Sequence, residues 1–443
     1  MTLQESAASR VNPLRPAMAS LIGTAIEWYD YFVYGLAAAV VFGPLFFPEF
    51  SPTAGTLAAF ATYSVGFLAR PVGGVVMGHF GDRVGRKTML VTSLLVMGTA
   101  TMCIGLLPTY STIGVWAPVL LVVLRFVQGL AVGGEWGGAV LMAVEHAPQS
   151  RKAFYGSFPQ MGVPAGLILA NLVLLGVSNA VGDAAFLAWG WRLPFLASAV
   201  LVIVGLFLRL SVEESPAFLQ MTEQEQRRLP IIDVVRDHWR KVLLISGAFI
   251  GINAVAYVFM TFLLTYTTQV LKMERSTVLT ISLAAAGVWL LVTPWASILS
   301  DRHGRRRVLL SGSIALSVFA LVLLPAADTT RLPLLIGAVL GLAVTMGAVY
   351  GPMAALFSSQ FPTPIRYSGT SLGYQIGSLL GGGIAPTVAT ALLSGYGSST
   401  PITVYLVGTT VISLGCVAAL VRSQPDAAGV STSDAHRRTG ATG

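Results

Sequence analysis

Charge is what this sequence has least of. Of its 443 residues only 10% are Asp, Glu, Lys or Arg, while 54% are hydrophobic and the mean hydropathy is +0.74. A soluble domain carries roughly 25% charged residues, so a water-facing globule is excluded. Cysteine is nearly as scarce: Cys103 and Cys416 lie in separate apolar stretches and are too few for a disulfide framework or a structural metal site, leaving core packing as their use. There is no glycine-rich loop ending in Gly-Lys-Ser/Thr to cradle a nucleotide's phosphates, no nucleophile-and-base constellation and no metal-ligand spacing. Enzymatic turnover, ATP drive, metals and cofactors are therefore not expected.

What the chain has instead is apolar length. Windows of about 20 residues, enough to cross a hydrocarbon layer, recur about twelve times. The spans are expected near 17–43, 54–80, 88–107, 115–146, 153–178, 189–209, 242–271, 276–299, 307–325, 332–360, 366–394 and 401–421. This is the pattern of an all-α polytopic membrane protein with the lipid bilayer as its main partner. No small-residue cleavage site follows the first run, so it reads as a retained helix rather than a signal peptide.

The formal charge of +8 has a topological explanation. With the N-terminus inside, about 21 of the 27 Lys and Arg fall on one side. They include Arg83, Arg86 and Lys87, then Arg151 and Lys152, Arg227 through Lys241, Arg302 through Arg307, and Arg366. The other side holds Lys272, Arg275 and Arg331, with Arg192 near that interface. Both termini are expected to be cytoplasmic, and no nucleic-acid partner is needed to explain the basic balance.

A charged turn occurs twice, as GHFGDRVGRK at 78–87 and SILSDRHGRRR at 297–307, each between two apolar spans. Asp82, Arg83, Gly85 and Arg86 recur as Asp301, Arg302, Gly304 and Arg305 at one constant offset. The longest polar interruption, about 210–241, lies between six spans and six spans. The expected organisation is a cytoplasmic segment at 1–16, a bundle at 17–210, a central cytoplasmic loop at 211–241, a second bundle at 242–422 and a disordered tail rich in Ser, Thr, Gly and Ala at 423–443. Internal duplication on this scale points to a transporter.

Ionised side chains near a bilayer centre cost at least ~2.5 kcal/mol and normally face partners or water. Span 1 carries Glu27, Asp30, Tyr31 and Tyr34 on one helical face. Glu27 lies ~15 Å from the start of its helix and Arg70, in span 2, ~18 Å from the same side, so the two are expected to form an ion pair or a shared network. Span 4 carries Arg125, Gln128 and Glu135 on one face, where a fixed cation could bind an anionic substrate or stabilise the ionised carboxylate until movement separates them. Glu27, Asp30 and Glu135 are the candidates for carrying a proton, with Glu135 and Asp30 preferred. The second half has almost no intramembrane charge. Its stripes Asn253, Tyr257, Thr261 and Met346, Tyr350, Met353 suit the walls of a substrate cavity, although ordinary interhelical packing explains any one of them as well. Glu145 and Arg151 bracket the turn between spans 4 and 5 and read as a latch pair.

Six plus six spans with this turn resemble the major facilitator superfamily over nearly the whole chain. The motifs AIEWYDYFVYG, GFLARPVGG, RFVQGLAVGGEWGGA, RKAFYGSFPQMGVPAG, GWRLPF, EESPAF and RYSGTSLGYQIGSLLGGG, taken in order, look like its metabolite:proton symporter family, importers of shikimate, 2-oxoglutarate, citrate, proline or betaine. The resemblance implies two pseudo-symmetric six-helix bundles, with spans 1, 4, 7 and 10 lining a central cavity. It also implies that Arg125 is tied to proton coupling and that Asp82 contacts the start of span 11, with Asp301 in the equivalent role. The family's second-half latch is missing a Glu near Ser359 and an Arg near Pro364, leaving Arg366. The function expected is proton-coupled import of a small organic acid or zwitterion by a monomer in the inner (plasma) membrane. Proton-coupled efflux is the alternative, although GVPAG in span 5 matches the usual efflux signature only in part; a receptor that kept the scaffold lacks a visible signalling domain.

Overall fold

The computed structural model describes residues 12–222 and 230–422. Arg10, Arg227, Arg228 and the tail expected to be disordered lie outside the described residues. Twelve helices make up most of the described chain: α1 Leu14–Ala37, α2 Pro52–Val84, α3 Arg86–Leu106, α4 Trp116–Glu145, α5 Lys152–Val181, α6 Arg192–Leu210, α7 Trp239–Tyr257, α8 Arg275–His303, α9 Arg305–Asp328, α10 Leu332–Ser358, α11 Arg366–Ser378, extended by a further helical segment Ala385–Tyr396, and α12 Thr400–Arg422. Among the described residues, eleven spans are long and apolar enough to cross a membrane by length and composition. The remaining helix, α1, is diluted by Glu27 and Asp30 in its middle.

Lipid satisfies no backbone hydrogen bond, so a spanning segment of this composition closes its bonds internally as helix. Side chains are sorted accordingly: Leu57, Leu68, Phe207 and Leu291 are each more than 60% exposed, whereas Glu27, Asp30, Arg70, Arg125 and Glu135 are at most 5% exposed. Helices end where the backbone requires it. Gly85 and Gly304, at φ +114° and +93°, make the reversals from α2 to α3 and from α8 to α9, a conformation that side chains with a Cβ rarely adopt. Three helices continue toward the opposite face through π-helical turns, at Ala38–Phe42 after α1, Val258–Phe262 after α7 and Leu379–Gly383 after α11.

Within the first six helices α2 packs on α4, α1 on α5, and α3 on α4 and α6; within the second six α8 packs on α10, α7 on α12, and α9 on α10 and α12. The two sets meet where α5 lies against α8 and α10, and where α11 lies against α2 and α4. The stretch between the sets includes a short helix, Pro230–Asp237, which buries Pro230 and Val234 beside α2 and α11. The end of the molecule that carries both charged turns is called the basic face below.

Candidate functional site

The buried charges gather between α1, α2 and α4, around a cavity of ≈ 10 Å³, room for about one water molecule. Glu27, Asp30, Tyr31, Arg70, Arg125 and Gln128 all line it. Glu27 and Arg70 share this cavity, but neither their ion pair nor one between Arg125 and Glu135 is found among the described residues. Among the described residues Arg70 has no carboxylate within ion-pair distance; its guanidinium lies over the rings of Phe67, Tyr31 and Trp28, at 4.7, 5.1 and 5.9 Å from their centroids. The wide aromatic rings of α1 occupy the space beside it, so Arg70 and Glu27 share a cavity without pairing. Among the described residues, Glu27 Oε2 has no hydrogen-bond partner.

Arg125 is likewise not the partner of Glu135. It donates to Gln128 Oε1 at 3.2 Å and lies over Tyr34, Tyr63 and Tyr31 at 4.2, 5.0 and 5.3 Å. Gly66 makes room for it, since a Cβ there would come within 2.7 Å of Arg125 Nε. The two residues share a face of α4 but stand ten residues apart, a rise of ~15 Å. Glu135 instead pairs with Arg209 of α6 and accepts from Ser93 Oγ of α3 at 3.1 Å, while Arg209 also donates to the Leu90 carbonyl. Gly23 of α1 leaves space for that guanidinium. Asp30 is held at both oxygens by hydroxyls, Thr101 Oγ1 at 2.8 Å and Ser198 Oγ. Arg209, Thr101 and Ser198 gave no signal in the sequence: an arginine near a helix end reads as an interfacial anchor, and lone hydroxyls in apolar runs read as packing.

Of the second-half candidates, Asn253 donates to the Ser378 carbonyl at 3.0 Å, the Tyr350 hydroxyl meets that of Tyr374 at 3.2 Å, and Tyr257 packs on Phe67, Tyr31 and Trp28. Thr261 is turned to its own helix, donating to the Tyr257 carbonyl. Between the cavity and the basic face Trp136 of α4 and Tyr374 of α11 stack at 3.7 Å and 7°, with Trp136 Nε1 donating to Gln160, which donates in turn to the Tyr350 carbonyl. Gln375 and Tyr367 of α11 donate to the carbonyls of Gly133 and Gly134. These neutral contacts join the two sets of helices between the cavity and the basic face.

At the basic face the duplicated turns do equivalent things. Asp82 accepts from the backbone N–H groups of Tyr367 and Ser368, at 3.1 and 2.9 Å, at the start of α11. Asp301 accepts from those of Ala153 and Phe154, at 3.0 and 2.8 Å, at the start of α5. Each carboxylate thus caps the unsatisfied, electropositive N-terminus of a helix from the other set. Glu145 does not pair with Arg151, which is exposed beyond the turn; it meets Arg86 at 3.5 Å and Arg366 at 3.0 Å and accepts from Ser215. Arg86 is fully buried and also donates to the Thr363 carbonyl. Arg305 donates to the Ala355 carbonyl and to Ser359, so the second turn is tied to α10 without a carboxylate at position 359. Arg83 and Arg302 are exposed.

A bundle of twelve long helices with a charged cavity, sealed at one end by carboxylates that cap helices of the opposite set, is a membrane transporter of small molecules. The chain belongs to the Major Facilitator Superfamily, whose sequence model matches residues 17–386 and 279–441. It is 43% identical over 386 residues to the inner membrane metabolite transport protein YhjE of Escherichia coli (strain K12), covering 86% of this chain and 88% of that one. It is 42% identical over 411 residues to the shikimate transporter of the same organism, covering 90% and 92%. The proton:xylose symporter XylE, solved with 6-bromo-6-deoxy-D-glucose, shares the fold at 16% identity with a TM-score of 0.77, over 94% of this chain and 96% of that one.

Proposed function

We propose that this transporter imports a small organic anion or zwitterion together with a proton across the inner (plasma) membrane, as a monomer with both termini in the cytoplasm. In this reading bundles 17–210 and 242–422 rock about the buried cavity, and the basic face is the cytoplasmic one. The observation that carries it is the charge set around that cavity: Arg70 and Arg125 opposite Glu27 and Asp30, all buried. With both carboxylates ionised the set is neutral; one proton leaves it at +1, complementary to a carboxylate. Proton and anion then favour each other's binding, and the coupling is reciprocal. The names of the shikimate and metabolite transport relatives support a small metabolite as cargo.

Geometry also ranks the proton carriers. Glu135 is matched by Arg209 and Asp30 is held by two hydroxyls, whereas Glu27 has an unpartnered oxygen at the cavity. Glu27 carries the proton in this reading. Shikimate, 2-oxoglutarate, citrate and proline would be offered side by side to proteoliposomes with and without an inward proton gradient. The gradient is expected to drive accumulation of at least one; Glu27→Gln abolishes that stimulation yet retains exchange, and Asp30→Asn keeps the stimulation. A carried substrate that is indifferent to the gradient rejects symport, and net movement against an opposed gradient from inside-out vesicles would establish efflux.

A further inference from the structure

Beside the charged cavity lies a second one, also of ≈ 10 Å³, formed by Trp28 of α1, Phe249 and Asn253 of α7, Trp289 of α8 and Tyr350 of α10. Trp28 joins the two, for the ring that helps to wall the second cavity also lies beside Arg70 of the first. The two cavities differ in chemistry. The first holds two guanidinium groups and two carboxylates. None of the residues lining the second is charged, and the helices of the second set supply no intramembrane cation to answer a buried anion.

The polar atoms of the second cavity are few and specific. Trp289 is 3% exposed, and its Nε1 has no hydrogen-bond partner among the described residues. Indole N–H can only donate, so this orphan calls for an acceptor. Asn253 uses one of its two amide N–H groups on the Ser378 carbonyl, and its Oδ1 is able to accept. A donor and an acceptor on a wall that is largely aromatic and aliphatic suit hydroxyl groups on a carbon frame. A second carboxylate placed there would be buried without a countercharge, which is strongly unfavourable. A quaternary ammonium could use the ring faces, but it would satisfy neither the indole N–H nor anything else that seeks an acceptor.

Resting on the transport reading above, we infer that the substrate is a monocarboxylate with an uncharged, hydroxylated body, its carboxylate at Arg70 and Arg125 and its body against Trp28, Phe249, Trp289 and Tyr350. The proposal sets such compounds apart from di- and tricarboxylates and from betaines. Both cavities are contracted, so binding requires the two sets of helices to part around them while keeping this division of chemistry.

The test is isothermal titration calorimetry on the detergent-purified full chain, with no gradient imposed, using shikimate, cyclohexanecarboxylate, 2-oxoglutarate, citrate and glycine betaine as probes. Shikimate is expected to bind tightest, and cyclohexanecarboxylate about tenfold more weakly because the indole N–H stays unpaired. The other three are expected to bind at least ~100-fold more weakly, as an unpaired buried charge implies. Trp289→Phe keeps an aromatic face and removes the donor: the roughly tenfold advantage of shikimate over cyclohexanecarboxylate is expected to disappear, with a thermal unfolding midpoint near that of the unaltered chain reporting that the variant is folded. Equal or tighter binding of 2-oxoglutarate, citrate or glycine betaine overturns the proposal, as does an equal effect of Trp289→Phe on both cyclic acids, or binding of none of the five. Failure here leaves proton coupling standing, and failure of gradient-driven uptake leaves this binding order standing.

Discussion

Glu135 and Arg209 form an ion pair buried inside the first set of helices. The pair links α4 to α6, and through Ser93 and the Leu90 carbonyl to α3, so it fastens three helices of the first set. Breaking a buried pair from one side leaves an uncompensated charge and destabilises by roughly 3–5 kcal/mol, whereas removing both partners is often close to neutral. Glu135→Gln and Arg209→Met are therefore each expected to lower the thermal unfolding midpoint in detergent, and their combination to recover most of the loss. Additive losses in that double-mutant cycle would show that the pair is not the fastening. At this scale the sequence showed which apolar runs carry charged and amide side chains but not how those side chains are matched. Glu27, Asp30, Arg70, Arg125 and Gln128 stand out as charges and amides in apolar runs, and they do share a cavity. Arg125 and Glu135 do not meet because a shared helical face says nothing of their ten-residue separation along α4. Glu27 and Arg70, matched in depth, share the cavity without an ion pair because aromatic rings lie beside the guanidinium.

Among the elements, α11 decides the state of the basic face. Its first turns lie in a trough lined by glycines: a Cβ at Gly81 would come within 2.0 Å of the Tyr367 ring, and one at Gly137 within 2.0 Å of Ser371 Oγ. Several polar atoms buried in that contact, including the hydroxyls of Ser368, Thr370 and Ser371, lack partners among the described residues. Separation of α11 from α2 and α4 would let water reach them, which offsets part of the loss of packing. Gly81→Ala should wedge α2 from α11, weaken the Asp82 cap and favour the state open at the basic face. A cysteine introduced by Ser371→Cys would report this, reacting several-fold faster with a membrane-impermeant maleimide applied to the basic face when Gly81→Ala is also present. Unchanged reactivity would mean that the helices absorb the methyl without parting. The glycine spacing of this trough is visible in the sequence, but the identity of the helix that fills it is not.

Across the whole molecule, closure of the basic face combines three kinds of contact at three depths: helix caps by Asp82 and Asp301, the Glu145 cluster with Arg86 and Arg366, and the Trp136–Tyr374 stack above them. Glu145 is the most exposed to a single change, because one carboxylate answers two arginines from different sets of helices. Spin labels at the exposed positions Arg83 and Arg302 should show longer separations in Glu145→Gln than in the unaltered chain; superimposable distance distributions would remove Glu145 from the latch. The sequence by itself determined the number and approximate ends of the membrane helices, the all-α fold, the repeat of the charged turn and the confinement of buried charge to the first set. Those follow from local costs, since a peptide group in lipid must close its hydrogen bond within its own helix, a reversal at positive φ calls for glycine, and an ion in an apolar run is conspicuous wherever it lies. Only the tertiary structure decided that Arg209 answers Glu135, that Arg366 answers Glu145, and that Glu27 keeps an oxygen free. Those matches depend on the tilt, rotation and depth at which helices distant in sequence meet, and small residues such as Gly23 and Gly66 decide where a guanidinium fits.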